Sequence, residues 1–286
     1  MALRDVLELV RAPAILTVIG DGIAGAASAG PLSARTAAAS TASAALYAAG
    51  MALNDVVDAD LDAVERPERP IPSGRISRGR ALGIATGLTA AGVAVAGSAG
   101  PRARRIALPL AGCVWLYDLV AKRGRLGPVA MAACRGLDVL MGAASSPRAA
   151  LLPAGAIAAH TMAVTQVSRG EVHGTSRAAS VAAAALSVAA SGAAIAAARE
   201  HRGRRAGAAI GAAAFLATVL PGFVRAARDP SARHARDATR QGIRGMVPLQ
   251  AAFAAAGGSG RGAMILAAVD AIGRLLAAKR RQGDVT

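Results

Sequence analysis

Asn54, Asp55, Asp58 and Asp62 stand close together in the stretch NDVVDADLDAVERPERPIPSGRIS, residues 54–77. On a helix the spacing of the three aspartates, three and then four residues, puts them on one face. Carboxylates so placed repel one another unless a cation stands between them. Mg2+ suits the position, because it is a hard ion held by a few carboxylates together with water and phosphate oxygens. A diphosphate brought to this cluster needs such an ion as a bridge, since carboxylates alone repel it. Asp60 and Glu65 add further acid, and Arg66, Arg69, Arg75, Arg78 and Arg80 follow at once.

The elements that must hold this cluster are apolar. The chain of 286 residues is 54% hydrophobic, 17% charged and 2% aromatic. Runs nearly free of charge cover 13–29, 36–53, 81–99, 106–121, 126–144, 151–167, 178–198 and 206–224, with shorter runs at 246–256 and 263–278. About 20 apolar residues cross a bilayer, with a range of roughly 17–25, so the shorter runs must borrow flanking residues. Lipid offers no partners to backbone polar groups, which predicts a helix for each run. The abundant Ala, Gly and Ser suit close approach of helices in a membrane. The expected fold is therefore all-α, a polytopic membrane helix bundle of about nine to ten transmembrane helices in a single domain over residues 1–286.

The opening MALRDVLELVRAP carries Asp5 and Glu8, unlike a cleavable signal, and reads as a short amphipathic lead-in on the membrane surface. Cys113 and Cys134 fall inside apolar runs and read as small core hydrophobes.

The formal net charge is +16. On a soluble protein that would point to nucleic acid, but so few aromatic residues give little on which to stack bases. Cytoplasmic loops of membrane proteins carry excess Lys and Arg. With the N-terminus inside and sides alternating over ten runs, about two thirds of the basic residues fall on the inner side. The aspartate cluster then lies on the cytoplasmic face of a bacterial-type cytoplasmic membrane. Ionisable residues seldom gather at a membrane edge without function, which weighs against a merely solvated acidic helix end.

Polar residues within the runs have their own readings. Asp21 either lines a cavity or pairs with a neighbouring helix. Arg135 and Asp138, three apart, can pair with each other, while Arg135 is also a candidate to face the pocket. His160 reads as a satisfied helix–helix contact, and Asp270 with Arg274 as a structural pair.

The 54–77 stretch resembles the first aspartate-rich motif of the UbiA superfamily of intramembrane prenyltransferases. WLYDLVAKRGRLGPVAMAACRGLDVLMGA, residues 115–143, resembles the middle region of that family. The resemblance runs from Arg11 to about Gln250 and is closest to a divergent UbiA-like subgroup. It implies helices around a central cavity, where an isoprenoid diphosphate is bound through Mg2+ and its prenyl chain passes to a lipophilic or aromatic small-molecule acceptor. Carried onto this chain, it implies Asp55, Asp58 and Asp62 as metal ligands. Asn54, Arg69, Tyr117, Asp118 and Arg169 are the implied substrate-binding residues, and Lys122, Arg135 and Glu171 the implied catalytic ones.

The family's second acidic motif falls at TQVSRGEVHGTSR, residues 165–177, where the usual two aspartates are reduced to Glu171. That thinning motivates an alternative: a catalytically weakened membrane protein that binds an isoprenoid or lipid for a pathway complex or for export. A transporter would need broken helices at the midplane, whereas the acids here gather at a helix end.

Overall fold

The structure, a computed structural model, describes residues 2–11, 15–198 and 202–283. Its helices are α1 (Leu3–Leu9), α2 (Leu16–Ala29), α3 (Ala34–Val57), α4 (Ala59–Glu65), α5 (Arg78–Ala99), α6 (Pro101–Leu116), α7 (Gly127–Gly142), α8 (Leu151–Ser168), α9 (Arg177–Ala197), α10 (Arg202–Arg228), α11 (Ala232–Ala256) and α12 (Gly260–Gly283). No strand occurs among the described residues. The apolar runs thus become helices, as the absence of backbone partners in lipid requires. Arg78–Ala99, Pro147–Ser168, Arg177–Ala197 and Arg202–Arg228 are by themselves long and apolar enough to cross a membrane. Arg199, which the inside–outside assignment of charge counts, lies outside the described residues.

One helix departs from the sequence expectation. The short run at 246–256 is only the second half of α11, which begins at Ala232. Its first half, ARHARDATRQGIRG, is polar in composition but strictly two-faced. Ala235, Ala238, Gly242 and Gly245 point inward and are buried. Arg233, Arg236, Arg240 and Arg244 fall three or four apart on the other side. A run-based reading sees the charges and stops; the helix continues because its small residues form a seam.

The connections alternate between two ends of the bundle. At one end, Lys122 before α7 reaches Asp58 at the end of α3 at 2.8 Å. There Arg169 after α8 donates to the Gly124 carbonyl at 2.6 Å, and the Thr175 amide donates to the Pro230 carbonyl at 2.9 Å. At the opposite end, Arg102 on α6 donates to the carbonyls of Ala144 and Ser145 after α7, at 3.3 and 3.1 Å.

Two helices that frame the interior meet almost backbone to backbone. A Cβ at Gly25 of α2 would stand 2.0 Å from the Val139 carbonyl oxygen, and one at Gly142 of α7 would stand 2.4 Å from the Gly22 carbonyl oxygen. Only glycine permits this approach. Lower on the same two helices, Asp21 and Arg135 are thereby close enough to pair at 2.9 Å.

The lead-in α1 lies across the end that holds the aspartates. Leu9 is fully buried with Leu53, Ile76 and Ala81, while Leu3 and Leu7 remain exposed, as an amphipathic surface helix requires. Arg75 clamps α1 through Glu8, with two bonds of 2.7 and 2.9 Å, and through Asp5 at 3.0 Å. The backbone amide of Ala2, then Arg75, holds the Asp5 carboxyl below its ordinary range. Arg75 does the same for Glu8 and is itself held further into its charged form. Lowered carboxylate pKa values mean that docking is complete at neutral pH and is lost as pH falls through those depressed values. Spin labels at Leu3 and Arg80 are expected to hold one distance distribution down to the ordinary carboxylate range and to broaden only below it. Arg75→Gln is expected to show the broad distribution already at pH 7. A distribution in Arg75→Gln as narrow as the parent's at pH 7 contradicts the clamp.

Candidate active site

The aspartate motif sits where α3 gives way to α4. Asp58 is the residue between them, with φ −93° and ψ 6°, yet the hydrogen bonds run through it. The Asp58 amide donates to the Asn54 carbonyl at 2.9 Å, and the Asp62 amide to the Asp58 carbonyl at 2.8 Å. The helical spacing of the aspartates is thus preserved across a slight break. Asp55 and Asp62 are each 4% exposed, far more buried than carboxylates tolerate without partners.

Basic side chains supply those partners. Arg69 reaches Asp62 at 2.6 Å and Asp55 at 3.3 Å. Arg11 reaches Asp55 at 3.0 Å and the Asn54 amide oxygen at 3.3 Å. Lys122 and Arg123 take the two oxygens of Asp58 at 2.8 and 3.1 Å. The Asn54 amide nitrogen donates to Asp118 at 2.9 Å, and Lys122 stands 3.6 Å from the same carboxylate.

Local backbone explains why these groups converge. Pro67, Pro70 and Pro72 stiffen the loop after α4. It turns at Gly74, whose φ of 75° suits glycine, and the Ile76 amide donates back to the Pro70 carbonyl at 2.9 Å. That loop delivers Arg69. Helix α6 ends in a π-helical turn, Tyr117–Ala121. The wider turn brings Asp118, 3% exposed, and Lys122 together against α3. Single π turns occur frequently at functional sites. Arg11 has φ 49°, a left-handed conformation uncommon for a side-chain-bearing residue, and the strain accompanies its reach to Asn54 and Asp55.

Behind the motif a narrow cavity of about 90 Å³ opens between α2, α3, α6 and α7. Leu46, Met51, Leu110, Val114 and Met131 make its wall apolar, and Tyr47, Tyr117, Asp118, Arg135 and Asp138 supply the polar groups.

The structure thus brings Asn54, Asp55, Asp58, Asp62, Arg69, Asp118 and Lys122 into one connected network, with Tyr117 on the adjoining cavity wall. Arg169 lies at its rim, tied to the Gly124 backbone. Glu171 sits in the α8–α9 loop; its carbonyl accepts from Arg236, and its half-buried carboxylate forms no ion pair among the described residues. Arg135 lines the cavity, but its pairing departs from the expectation. It binds Asp21 of α2 at 2.9 Å and the Thr17 carbonyl at 3.0 Å instead of Asp138. Asp138 accepts from Ser43. The reason is reach: the Gly25–Gly142 contact draws α2 onto α7, so Asp21 meets Arg135 from across the interface. Gln250 of α11 donates to Asp21 at 2.7 Å, which settles Asp21 as a helix–helix tie. His160 bonds the Gly242 carbonyl at 3.0 Å, Arg274 pairs with Asp270 at 2.8 Å, and both cysteines are free, as expected.

Sequence reasoning missed Arg11 and Arg123 as partners of the motif. Arg123 could have been suspected from its neighbour Lys122; Arg11 is forty-three residues from Asn54, and nothing in its surroundings marks it.

The donors suit a hard divalent cation. Asp55, Asp58 and Asp62 offer carboxylate oxygens, and Mg2+ commonly takes one or two of these with phosphate and water. Among the described residues no three His, Cys, Asp or Glu side chains converge as a preformed cage, because each carboxylate is turned onto a basic group.

A helical bundle with several membrane-length apolar helices, closing one end with interleaved carboxylates and cations over a partly apolar cavity, defines an integral membrane protein with a polar site at the membrane edge. The chain belongs to the UbiA prenyltransferase family, whose model matches residues 14–228. Among curated relatives, digeranylgeranylglyceryl phosphate synthase of Ignicoccus hospitalis is 39% identical over 99 residues, covering 35% of this chain and 33% of that one. The protein of the same name from Korarchaeum cryptofilum is 53% identical over 47 residues, covering 16% and 17%. The matched stretches thus span about a third or less of those archaeal relatives. In fold, a solved UbiA homologue from Aeropyrum pernix superposes with a TM-score of 0.68 at 17% identity, covering 84% of this chain and 96% of that one. A solved structure of digeranylgeranylglyceryl phosphate synthase in membranes gives 0.64 at 18% identity, covering 89% and 98%.

Proposed function

We propose that this protein transfers a prenyl group from an isoprenoid diphosphate to a lipophilic acceptor within the membrane, with Mg2+ as its metal. The observation that carries the reading is the interleaving of Asp55, Asp58 and Asp62 with Arg11, Arg69, Lys122 and Arg123 at the mouth of the cavity. The names of the curated relatives make an alcohol of the prenylglyceryl phosphate type the first acceptor to try. The N-terminus and the loops bearing these residues are assigned to the cytoplasmic side, in keeping with the excess of basic residues there.

Bound by Asp55, Asp58 and Asp62, Mg2+ would offset the charge of the diphosphate and stabilise it as a leaving group. Lys122 and Arg69, released from their carboxylates, would donate to phosphate oxygens and strengthen those bonds as charge builds there. Asn54 and Asp118 hold Lys122 in line through their mutual hydrogen bond. The apolar walls at Leu46, Met51, Val114 and Met131 would receive the first carbons of the prenyl chain and keep water from the developing allylic cation. Arg135, fixed by Asp21, would present its free edge to the acceptor. Arg169 and Glu171 would close over the diphosphate from the α8–α9 loop.

A second reading, a binder with weakened catalysis, is favoured by one observation: Glu171 stands in its loop without a companion acid. The two readings separate at Glu171→Gln. A transferase is expected to lose turnover by about a hundredfold while its affinity for farnesyl or geranylgeranyl diphosphate changes only a few-fold, because the contact strengthens at ionisation. Diphosphate release in membranes, with a panel of lipid alcohols and phenols, gives the answer. No release by the parent protein with any acceptor selects the binder; unchanged release in the variant keeps the enzyme and removes Glu171 from its site.

A further inference from the structure

The end of the bundle opposite the aspartates has a different chemistry. Its described connections, 30–33, 99–101, 143–150 and 257–259, and the first turns of the helices that follow, contain no Asp or Glu. Two open clefts lie there, of about 520 and 690 Å³, and they share the wall formed by Ala29, Gly30 and Pro31. Arg35, Arg102 and Arg105 line the first; Arg204 and Arg261 line the second. Arg102 donates only to the two carbonyls after α7. Among the described residues the other four make no ion pair and no hydrogen bond, whereas at the aspartate end Arg11, Arg69, Arg75, Arg78 and Arg123 are each in an ion pair. Five arginines that line adjoining hollows repel each other, and solvent and the two carbonyls at Arg102 are what offset that cost. The amino ends of α3 and α6 adjoin the first cleft and add to its positive potential.

Interfacial arginines commonly flank membrane helices. These five line concave surface floored by small residues, where a bulky headgroup can enter. Guanidinium groups match phosphate oxygens in pairs, and each basic residue near an anionic surface adds an appreciable share of binding. We propose that this double cleft binds a phosphate-bearing anion, with the headgroup of an anionic phospholipid as the source that a site at a membrane edge would meet first. The proposal is independent of prenyl transfer, which belongs to the other end.

The test is native mass spectrometry of the full chain released from detergent, with phosphatidylglycerol, phosphatidylcholine and glycerol 1-phosphate as probes. Phosphatidylglycerol is expected to be retained at least about tenfold better than phosphatidylcholine. Arg35→Gln/Arg102→Gln/Arg105→Gln is expected to weaken its retention on the order of a hundredfold. Arg225→Gln/Arg228→Gln/Arg233→Gln, the same loss of charge at the aspartate end, should leave it within a few-fold. The corresponding three lysine substitutions keep the charge and should keep most of the binding, which separates recognition from misfolding. Glycerol 1-phosphate that displaces the lipid at comparable concentration identifies a soluble phosphate ester as the ligand; failure to displace it identifies the lipid. Equal retention of the two phospholipids, or equal losses in the two glutamine variants, overturns the proposal.

Discussion

Asp58→Asn is expected to remove metal-dependent binding of an isoprenoid diphosphate, with affinity falling by a hundredfold or more. The substitution keeps size and the helical hydrogen bonds through residue 58, so the backbone has no reason to move. What changes is charge at the junction of α3 and α4. Asp58 takes Lys122 on one oxygen and Arg123 on the other, and in the proposed complex it would exchange them for Mg2+. An amide binds the ion far more weakly than a carboxylate and leaves Lys122 to pair with Asp118 alone, 3.6 Å away. Titration calorimetry with farnesyl diphosphate in Mg2+ and in EDTA provides the measurement. The parent should bind in Mg2+ and lose binding in EDTA, and the variant should resemble the parent in EDTA. Binding by the variant equal to the parent's in both buffers removes the metal bridge from the reading.

Lys122→Gln should cost turnover about a hundred- to a thousandfold, while Arg123→Gln should cost less than about fivefold. Both residues contact Asp58 at similar distances, but Lys122 is 10% exposed and Arg123 is 70% exposed. A buried cation acts in a low dielectric, and its loss leaves the buried Asp118 with only the neutral Asn54 amide and Asp58 with only the exposed Arg123. An exposed one is screened by water and salt. The contrast within one pair of neighbours is the discriminating quantity, read as diphosphate release in membranes with folding checked by thermal unfolding. Equal effects for the two variants would mean that total charge at the site matters and position does not, which contradicts a specific contact from Lys122.

The sequence by itself determined the class of fold and the face on which the aspartates gather. Charge-free runs force helices because lipid leaves backbone polar groups no other partners. The aspartate spacing survived intact because it depends only on helical periodicity, which the structure keeps even across the break at Asp58. His160 was legible because a buried polar group needs a partner, and the Asp270–Arg274 pair because residues four apart on a helix are neighbours.

Tertiary structure decided the rest. The polar half of α11 is helical because Ala235, Ala238, Gly242 and Gly245 pack against other helices, and composition alone does not reveal what a face meets. Arg135 looked like the partner of Asp138 three residues away. It pairs with Asp21 because two glycines let α2 and α7 touch, and a contact across an interface can outcompete a neighbour on the same helix. The spacing of the aspartates did not reveal all the cations that meet them. Arg11, Arg69, Lys122 and Arg123 reach these carboxylates because a buried charge takes the nearest counter-charge that the fold delivers. The π turn that swings Asp118 and Lys122 into place and the left-handed backbone at Arg11 have no signature in residue type. Both are local distortions held by long-range contacts, and such contacts exist only once the chain has folded.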